Sequence, residues 1–454
     1  MHAHNQYDLN LFIVEENRIN TITPCGDVAI AAVNKNIIFE IDALSRYHYD
    51  GWSPIHHDLL LVAAAVEYAD RCVSRRVGRW ARNFNITVPV VEIETWRQSP
   101  VQRTLRTALR LLTGDHWHFV FTPWQGANVF GTRQRSLPFP TKRSAVIAYS
   151  DGLDSRCVAK MSGHDAVCVR LTKYRDKRKA GDEPFDQFPF WVKMPATREN
   201  SNRSRAFKFA IVTAIAAHLA GIGRIIVPES GQGALGPALA PLHNVYVDYR
   251  NHPTFLRKME QFVKEVLSHC VRYEQPRLWF TKGETISKLL SMTSNATIDL
   301  IETRSCWQRR WNTGMGGKLR QCGLCAACLL RRMSLHRAGV AEPADAYVIT
   351  DLTARTFSEA CPAKEEVRLS RTIVQYGIAG VGHLQRLANM ANLPDPNLKV
   401  SAFEIAHATG EPLETVLENL RRMLLAHATE WRDFVTAQGR RGFLRSWTQG
   451  ARHA

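Results

Sequence analysis

The sequence lacks several features that would assign it to common classes of protein. No hydrophobic run approaches the length of a bilayer, and the N-terminal residues have no apolar signal-peptide core. There is no internal repeat, no low-complexity tract, no G-x-x-x-x-G-K-[ST] loop and no H-E-x-x-H metal pair. These absences argue against membrane proteins, repeat proteins, Walker-type nucleotide hydrolases and H-E-x-x-H metalloenzymes. We therefore expect a soluble, cytoplasmic protein with no membrane partner.

Acidic residues are too few to balance the basic ones. The chain has 59 lysines and arginines against 42 aspartates and glutamates, which gives a net charge of +17 and a pI near 9.6. Such a balance favours anionic partners, namely nucleotides, pyrophosphate or nucleic acid. For nucleic acid, an inert basic surface explains the charge equally well, so RNA binding is possible but not required.

Length and hydrophobic pattern predict three segments. A chain of 454 residues with 45% hydrophobic residues can form two or three domains with a substantial core. Residues 1–140 predict an N-terminal α+β domain that ends in a proline-containing linker at 138–140. In residues 141–340, strands alternate with helices, which predicts an α/β fold with a parallel, doubly wound sheet. Residues 341–454 predict a helical C-terminal region, with helices at 366–378, 380–392, 401–408, 412–427 and 428–438.

A loop of small and acidic residues lies at the centre of the middle segment. The strand-like residues 145–149 lead into the sequence SDGLDS at residues 150–155. Backbone N–H groups of such a loop, and the start of a following helix, favour a bound anion. Gly152 allows close approach, Ser150 and Ser155 offer hydroxyl groups, and Asp154 can help to hold Mg²⁺ against phosphate oxygens. The alternative interpretation is a surface turn capped by aspartate and serine.

Four further charged residues occupy positions that suit an anionic ligand. Glu229 follows the predicted strand 224–228, and ligands of open α/β sheets bind beyond the carboxyl ends of the strands. Lys282 precedes a predicted helix, and Arg203 and Arg205 lie at the start of another, where anions are favoured. A turn carboxylate, a solvated lysine and ordinary surface arginines remain open as alternatives.

The cysteines give the strongest physical signal. Four of the ten follow the pattern C-x15-C-x2-C-x2-C, namely Cys306, Cys322, Cys325 and Cys328. The C-x2-C spacing lets two thiolates face one tetrahedral ion, and the distant cysteine completes the shell. A redox site or an iron–sulfur cluster is the alternative, and we favour structural zinc. The other six have no ligand spacing and are expected to be buried or free thiols: Cys25, Cys72, Cys157, Cys168, Cys270 and Cys361.

Three motifs, taken together, resemble those of a known family. The SDGLDS loop is similar to the SGGxDS loop of the PP-loop ATP pyrophosphatases, but Asp151 stands where glycine is usual. The segment WFTKGET at 279–285 and the late cysteines, preceded by Ser305, resemble the 7-cyano-7-deazaguanine synthase (QueC) family. This resemblance covers about residues 143–340. The two flanking segments make the chain more similar to the larger QueC-like proteins of anti-phage defence systems (QatC-like).

The resemblance implies both a fold and a reaction. The implied core is an adenine nucleotide alpha hydrolase-like (HUP) sheet with a C-terminal zinc-binding element. The implied reaction is a carbon–nitrogen ligation in which ATP adenylates the carboxylate of 7-carboxy-7-deazaguanine, and an amine, here the amine of a partner protein, then displaces AMP. Asp154, Ser155 and Lys282 are the implied catalytic residues, with ATP, Mg²⁺ and Zn²⁺ as cofactors. The residues assigned to the nucleotide are Ser150, Gly152, Asp154, Ser155, Arg203, Arg205, Glu229 and Lys282.

Three other functions remain open at this point. A biosynthetic enzyme of the same family would use ammonia and convert the amide to a nitrile. A tRNA-modifying adenylating enzyme would suit the positive charge, although no cysteine pair for sulfur relay is present. A scaffold that binds nucleotide without catalysis would suit Asp151, the residue that departs from the loop pattern.

Overall fold

The fold is derived from a computed structural model. It describes residues 7–21, 27–40, 52–75, 81–127, 129, 143–173, 186–242, 245–293, 296–308, 313–315, 317–343, 345–361 and 371–450. The chain forms two compact units. The first contains Met1–Tyr149, Gly163–Val227 and Asp248–Glu274, and the second contains Ser150–Ser162, Pro228–Val247 and Gln275–Ala454. The division into domains near residues 140 and 340 rests on the sequence and stays a prediction.

Strands and helices alternate through most of the described chain. The strands are β1 (Leu9–Val14), β2 (Val28–Ala32), β3 (Ile37–Phe39), β4 (Asn83–Val90), β5 (His116–Pro123), β6 (Ala145–Tyr149), β7 (Ala166–Thr172), β8 (Asp186–Val192), β9 (Arg224–Ile226), β10 (Arg272–Glu274), β11 (Gly314–Met315) and β12 (Lys318–Leu319). The helices are α1 (Pro54–Cys72), α2 (Ile93–Arg97), α3 (Ser99–Thr113), α4 (Leu153–Met161), α5 (Arg205–Leu219), α6 (Gly231–Ala234), α7 (Gly236–Leu239), α8 (Pro253–Leu267), α9 (Lys282–Met292), α10 (Ala296–Ile301), α11 (Ala326–Arg337), α12 (Phe357–Ala360), α13 (Arg371–Asn389), α14 (Asp395–Thr409), α15 (Leu413–Ala437) and α16 (Phe443–Gly450).

The first unit contains two sheets. One has the order β2-β1-β4-β5 and is parallel throughout. The other has the order β10-β9-β6-β7-β8-β3 and is parallel except for β3. Parallel strands are covered on both faces, which explains their nearly continuous apolar sequences. The predicted α/β fold with a parallel sheet is therefore confirmed.

The sheet partners of strands β2 and β3 could not be predicted from the hydrophobic pattern of the sequence. The apolar residues 28–30 and 37–41 predict two strands around a polar turn, and both strands form. They belong to different sheets, because β2 pairs with β1 in parallel and β3 pairs with β8 in antiparallel orientation. The turn between them contains Asn34 at a φ of 66°, a left-handed conformation that asparagine tolerates better than most residues.

A buried ionic network in the first unit corrects one interpretation of the sequence. The basic cluster Arg75, Arg76, Arg79 and Arg82 favours a solvated helix face, with contact to RNA or a partner protein as the alternative. Helix α1, however, ends at Cys72, before Arg75 and Arg82. Arg82 is 3% exposed, and its guanidinium donates to Asp70 and to Asp115 at 2.7 Å each. Arg75 forms a second, two-point ion pair with Asp115. Arg76 and Arg79, named in the same prediction, lie outside the described residues, as does most of the polar segment after Lys173.

In the second unit, the predicted helical C-terminal region is confirmed, with two corrections. The predicted helices 412–427 and 428–438 are one helix, α15, because neither glycine nor proline interrupts it. Likewise, the predicted break near residue 379 is absent from α13. Gly380 lies inside the helix, and its lack of a side chain lets the Ala326 backbone approach. A Cβ atom at Gly380 would lie only 2.8 Å from the Ala326 nitrogen.

Two hydrophobic cores join this helical region to earlier residues of the second unit. One packs Leu324, Leu329 and Met333 against side chains of α13, α15 and α16. The other packs Leu278 and Leu235 against side chains of α13, α14 and α15. No helix in the described part of the chain combines the length and the apolar character needed to span a bilayer.

Candidate functional site

The loop at residues 150–155 is held closed by its own hydroxyl groups. The Oγ atoms of Ser150 and Ser155 are 2.9 Å apart, and Ser150 Oγ accepts a hydrogen bond from the Gly152 N–H at 3.2 Å. Gly152 is the N-cap residue of α4, so the first free N–H groups of that helix follow it directly. A side chain at Gly152 would crowd the Ser150 hydroxyl, since its Cβ would lie 3.1 Å away. The local geometry suits an anion, and anion binding by this loop stays a prediction.

Three charged side chains meet next to this loop. Asp154, in the first turn of α4, forms an ion pair with Lys282, the first residue of α9. Both are mostly buried, with 7% and 8% of their surface exposed. Burial alone would lower the pKa of Lys282, but the charge of Asp154, and next that of Glu229 where it is ionised, outweigh the burial and raise that pKa. Lys282 therefore stays positively charged in this mostly buried site.

Glu229 behaves differently from Asp154. The residue keeps part of its surface exposed, but its carboxyl group is enclosed. This burial, and next the charge of Asp154, raise the pKa of Glu229 to about 8. Near neutral pH the carboxyl group is thus largely protonated and can donate a hydrogen bond to Asp154. The position of the Glu229 carboxyl group depends on Gly233, because a Cβ atom at residue 233 would lie 2.1 Å from Glu229 Oε1.

The segment that carries Lys282 has a well-defined local structure. Thr281 caps α9 by accepting from the Glu284 N–H at 3.0 Å, and the Glu284 carboxylate accepts from the Thr281 N–H at 2.8 Å. The Lys282 N–H donates to the side-chain oxygen of Gln232 at 2.8 Å. Gln232 lies three residues after Glu229 in the chain. Its side chain therefore links the segment that carries Glu229 to the backbone of Lys282.

Asp154 can serve as a ligand for a divalent cation. Its Oδ2 atom pairs with Lys282, while the buried Oδ1 atom has no hydrogen-bond donor among the described residues when Glu229 is ionised. A buried carboxylate oxygen in this state is costly by itself. Mg²⁺ prefers oxygen ligands and is commonly held by one or two carboxylates plus substrate phosphates. The donor set therefore fits Mg²⁺ bound together with a nucleotide.

The four predicted cysteine ligands lie together. Their sulfur atoms are all within 4.8 Å of one another, and the Sγ atoms of Cys322 and Cys328 are 3.8 Å apart. Four thiolates around one zinc ion, each at about 2.3 Å, would be separated by about 3.8 Å. Cys306 is part-buried and the other three are buried. The four-cysteine cluster can thus hold zinc, as the spacing predicted.

Backbone N–H groups stabilise negative charge on these sulfurs. Cys306 Sγ accepts from the N–H groups of Cys322 and Gln308 at 3.2 and 3.3 Å. Cys322 Sγ accepts from the N–H of Cys325 at 3.3 Å. Hydrogen bonds from the Cys322 thiol, and next from the other two cysteines, hold the pKa of Cys306 well below its usual value. Such bonds around the sulfurs are typical of structural metal sites.

A second layer of contacts fixes the cluster within its unit. The side-chain oxygen of Gln321 accepts from the N–H of Ser305 at 2.8 Å and from that of Cys306 at 3.2 Å. Gly323, at a φ of 87°, lets the chain turn against the Ile349 carbonyl, which a Cβ atom would approach to 2.4 Å. The remaining cysteines in the described chain take no part in the cluster. Cys25 lies outside the described residues.

The two predicted arginines belong to the first unit. Arg203 is 5% exposed. Burial lowers its pKa, and the charge of Asp248 opposes that shift. Arg205 begins α5, with its guanidinium 5.2 Å from the centroid of the Phe209 ring. Their proposed contact with a nucleotide stays a prediction.

Comparisons with known proteins support this interpretation of the second unit. Residues 243–339 match the family model described as "Queuosine biosynthesis protein QueC". The chain is QueC-like in this region. The matched residues include Lys282 and all four clustered cysteines, whereas the loop at 150–155 and the helices after α11 lie outside them.

Two curated relatives are named 7-cyano-7-deazaguanine synthase, and both come from strains of Porphyromonas gingivalis. One is 29% identical over 142 residues, which are 31% of this chain and 54% of the relative. The other is 30% identical over 137 residues, which are 30% of this chain and 52% of the relative. The QueC-like similarity thus spans about half the length of the curated relatives it matches. A defence-type subfamily is not distinguished by these comparisons.

Three buried polar residues near Lys282 were not predicted from the sequence. Gln232 accepts from its N–H, His427 contacts Gln232, and Glu430 accepts from the Thr281 hydroxyl. The available signal was the pattern of α15, since His427 and Glu430 interrupt its apolar face. Helical periodicity identifies such an interruption, but it does not identify the segment that the polar side chains meet.

Proposed function

We propose that this protein is an ATP-using enzyme that acts on a 7-deazaguanine. The observation that carries the proposal is the buried Asp154–Lys282 pair, with Glu229 against it, beside the loop at 150–155 in a QueC-like chain. A buried lysine next to free helix N–H groups suits the phosphates of a nucleotide. The curated relatives are named for a 7-deazaguanine product, which supplies the class of the second substrate.

The proposed reaction is amide formation through an adenylate. A carboxylate oxygen of 7-carboxy-7-deazaguanine attacks the α-phosphorus of ATP, and the bond to pyrophosphate breaks. An amine then attacks the acyl carbon, loses a proton, and AMP leaves with the electrons of the acyl–oxygen bond. The sequence requires orientation and charge stabilisation rather than a nucleophilic side chain.

Each residue of the site has a proposed role in this reaction. Ser150, Ser155 and the N–H groups that follow Gly152 bind phosphate oxygens. Lys282 stabilises the charge that develops on the departing pyrophosphate. Asp154 holds Lys282 in place and would hold Mg²⁺, which supplies further charge neutralisation when it is bound. The four-cysteine cluster would hold zinc in a structural role, since all four positions of a tetrahedral shell are filled by thiolates.

The proposed reaction also needs an acceptor amine. We propose the amine of a partner protein, in a defence-type system, because most of this chain lies outside residues 243–339. Additional chain on both sides of the matched region offers surface that a small-molecule synthase does not need. Ammonia, followed by dehydration of the amide to a nitrile, is the biosynthetic alternative. A cytoplasmic location stays a prediction.

The deciding experiment measures pyrophosphate release from ATP, with and without 7-carboxy-7-deazaguanine. Release by the wild type should depend on the deazapurine and should fall at least about a hundredfold in Asp154→Asn, because Lys282 loses its buried partner. Asp165→Asn is the matched control, since Asp165 is exposed and should be replaceable without loss. Deazapurine-dependent release that survives in Asp154→Asn would contradict the assigned role of this residue.

Mass spectrometry of the products identifies the acceptor. A mass gain on a co-purified protein, equal to the deazaguanine acyl group, would support a protein amine. Efficient formation of the free nitrile from ammonia would instead support the biosynthetic reaction. Release that requires tRNA, with steep salt dependence, would support the tRNA-modifying alternative. ATP binding without any release of pyrophosphate would support the non-catalytic scaffold.

A further inference from the structure

Helix α15 lies outside the QueC-like match, yet it contacts the segment that carries Lys282. Arg422 donates to the carbonyl oxygen of Trp279 at 2.8 Å and pairs with the carboxylate of Glu284. Its guanidinium also lies 4.8 Å from the centroid of the Phe280 ring. The helix thus contacts residues both before and after Lys282 in the chain.

Two turns further along α15, a buried glutamate reaches the same segment. Glu430 is 3% exposed, and its Oε1 atom accepts a hydrogen bond from the Thr281 hydroxyl at 2.5 Å. The approach is close, since a Cβ atom at Gly283 would lie 2.7 Å from Glu430 Oε1 and 2.9 Å from Arg337 Cγ. Glycine at this position therefore allows the first turn of α9 to pack on Glu430.

A buried histidine on the same helix completes a chain of hydrogen bonds to Lys282. His427 is fully buried, and its Nε2 atom is 2.9 Å from the carbonyl oxygen of Leu384. The Nδ1 atom lies 2.9 Å from Gln232 Nε2, so Nδ1 accepts while Nε2 donates. Gln232 then accepts from the Lys282 N–H. The orientation of the Gln232 amide is thereby fixed from α15.

We propose that His427 and Glu430 are positioning residues for Lys282 and Glu229. They lie three residues apart on α15, and His427 acts through Gln232 while Glu430 acts through Thr281. The C-terminal region would then be a working part of the site rather than an appended domain. This inference deepens the proposed function and rests on it only for the catalytic consequence.

The chemistry of these positions favours positioning over simple packing. Buried histidine, glutamate and glutamine each carry a desolvation cost that an apolar side chain avoids. Around them α15 packs with ordinary apolar residues such as Leu420 and Leu424, so apolar side chains suit this face. Polar residues at these positions fix the local geometry instead, because every satisfied hydrogen bond restricts where Gln232 and Thr281 can lie.

Hydrogen exchange on the full chain tests the geometry directly. In His427→Leu and Glu430→Ala, the amide of Lys282 should exchange at least about tenfold faster than in the wild type, since its hydrogen-bonded surroundings are loosened. Leu424→Ala is the packing control, because Leu424 is buried on α15 and no polar contact is lost. Glu418→Gln, on an exposed position of the same helix, is the charge control.

Kinetics then test the consequence. In Glu430→Ala, kcat for pyrophosphate release should fall about tenfold with little change in the KM for ATP, whereas Glu430→Gln, which keeps an acceptor for Thr281, should stay within about threefold of the wild type. Exchange at Lys282 that rises no more than in Leu424→Ala would overturn the inference, as would a fall in kcat that merely follows stability. If the wild type releases no pyrophosphate, the proposed function fails, and the exchange data still decide the positioning role.

Discussion

Single carboxyl groups in this protein differ in protonation because their surroundings differ. Glu229 and Glu430 have raised pKa values, chiefly through burial, while Asp70 accepts from a buried arginine and a backbone N–H that hold its pKa low despite burial. For Glu229 and Glu430, burial of the carboxyl group carries an energetic cost near neutral pH. Costs of this kind concentrate at sites where position matters more than stability.

Glu430 should therefore make stability depend on pH in a defined direction. Its pKa rises from 4.5 to about 7, because burial disfavours the charged form. A raised acid pKa means that stability is lost as the pH rises from about 4.5 through 7. Relative to the wild type, Glu430→Gln should gain up to roughly 3 kcal/mol between pH 4.5 and 8, since a tenfold change in proton affinity corresponds to about 1.4 kcal/mol.

Denaturant titrations of both proteins at pH 5, 6, 7 and 8 measure this difference. Effects of pH on the cysteine cluster cancel, because both proteins carry it. The control, Glu418→Gln, removes an exposed charge from the same helix and should give a difference that does not change with pH. A difference for Glu430→Gln that is equally flat would show that this carboxyl group titrates normally.

Gly233 gives a second prediction at the residue scale. A methyl group there would overlap Glu229 Oε1, at 2.1 Å, so Gly233→Ala must move the carboxyl group away from Asp154. Pyrophosphate release should fall at least about tenfold, in line with the cost of a displaced site residue. Gly236→Ala is the control, because its methyl group would meet the flexible end of Leu387 at 3.1 Å and the His383 ring at an ordinary contact distance of 3.6 Å. Equal activity in the two variants would argue against a role for the position of Glu229.

At the scale of elements, the cysteine cluster connects the loop at Cys306 to the start of α11. Cys325 is the N-cap residue of α11, and Cys328 lies in its first turn. A metal ion bound here would therefore fix both the helix start and the loop that precedes it. Binding energy of this kind is folding energy, because the site does not exist in the unfolded chain.

Replacing one cluster cysteine should remove both the metal and part of the stability. The wild type should contain one zinc per chain by elemental analysis, and Cys325→Ser should lose most of it and unfold at a clearly lower temperature. Cys270→Ser is the control, since Cys270 is exposed and lies outside the cluster. Full zinc content in Cys325→Ser, or equal losses in the two variants, would contradict the assignment.

Local patterns predicted most elements but not their partners. The strand β6, the loop after it and the start of α4 follow from a short apolar run and small polar residues, and the cysteine cluster follows from spacing alone. The contact of His427 and Glu430 with Gln232 and Thr281 spans a long stretch of sequence, so no local pattern contains it. Similarly, the helix break predicted near residue 379 is absent, and Gly380 allows close packing on Ala326.

For the whole molecule, the boundary of the QueC-like match does not coincide with a boundary of packing. Leu278, Leu329 and Met333 belong to the matched residues, but they are buried in cores that α13 and α15 complete. All of these residues belong to the second compact unit. A chain that ended after the match would leave a large apolar surface exposed to water.

We therefore predict that residues 1–343 alone will not form a soluble, cooperatively folded protein. Removal of residues 344–454 takes away the helices that cover Leu278 and Leu329, and exposed surface of this kind favours aggregation. Co-expression of residues 344–454 as a separate chain should restore solubility, because the covering helices return without a covalent link. Solubility, zinc content and the sharpness of thermal unfolding measure the outcome. A soluble, zinc-containing and cooperatively unfolding 1–343 chain would show that the QueC-like part folds independently. The C-terminal helices would then not be required for the structure of the site.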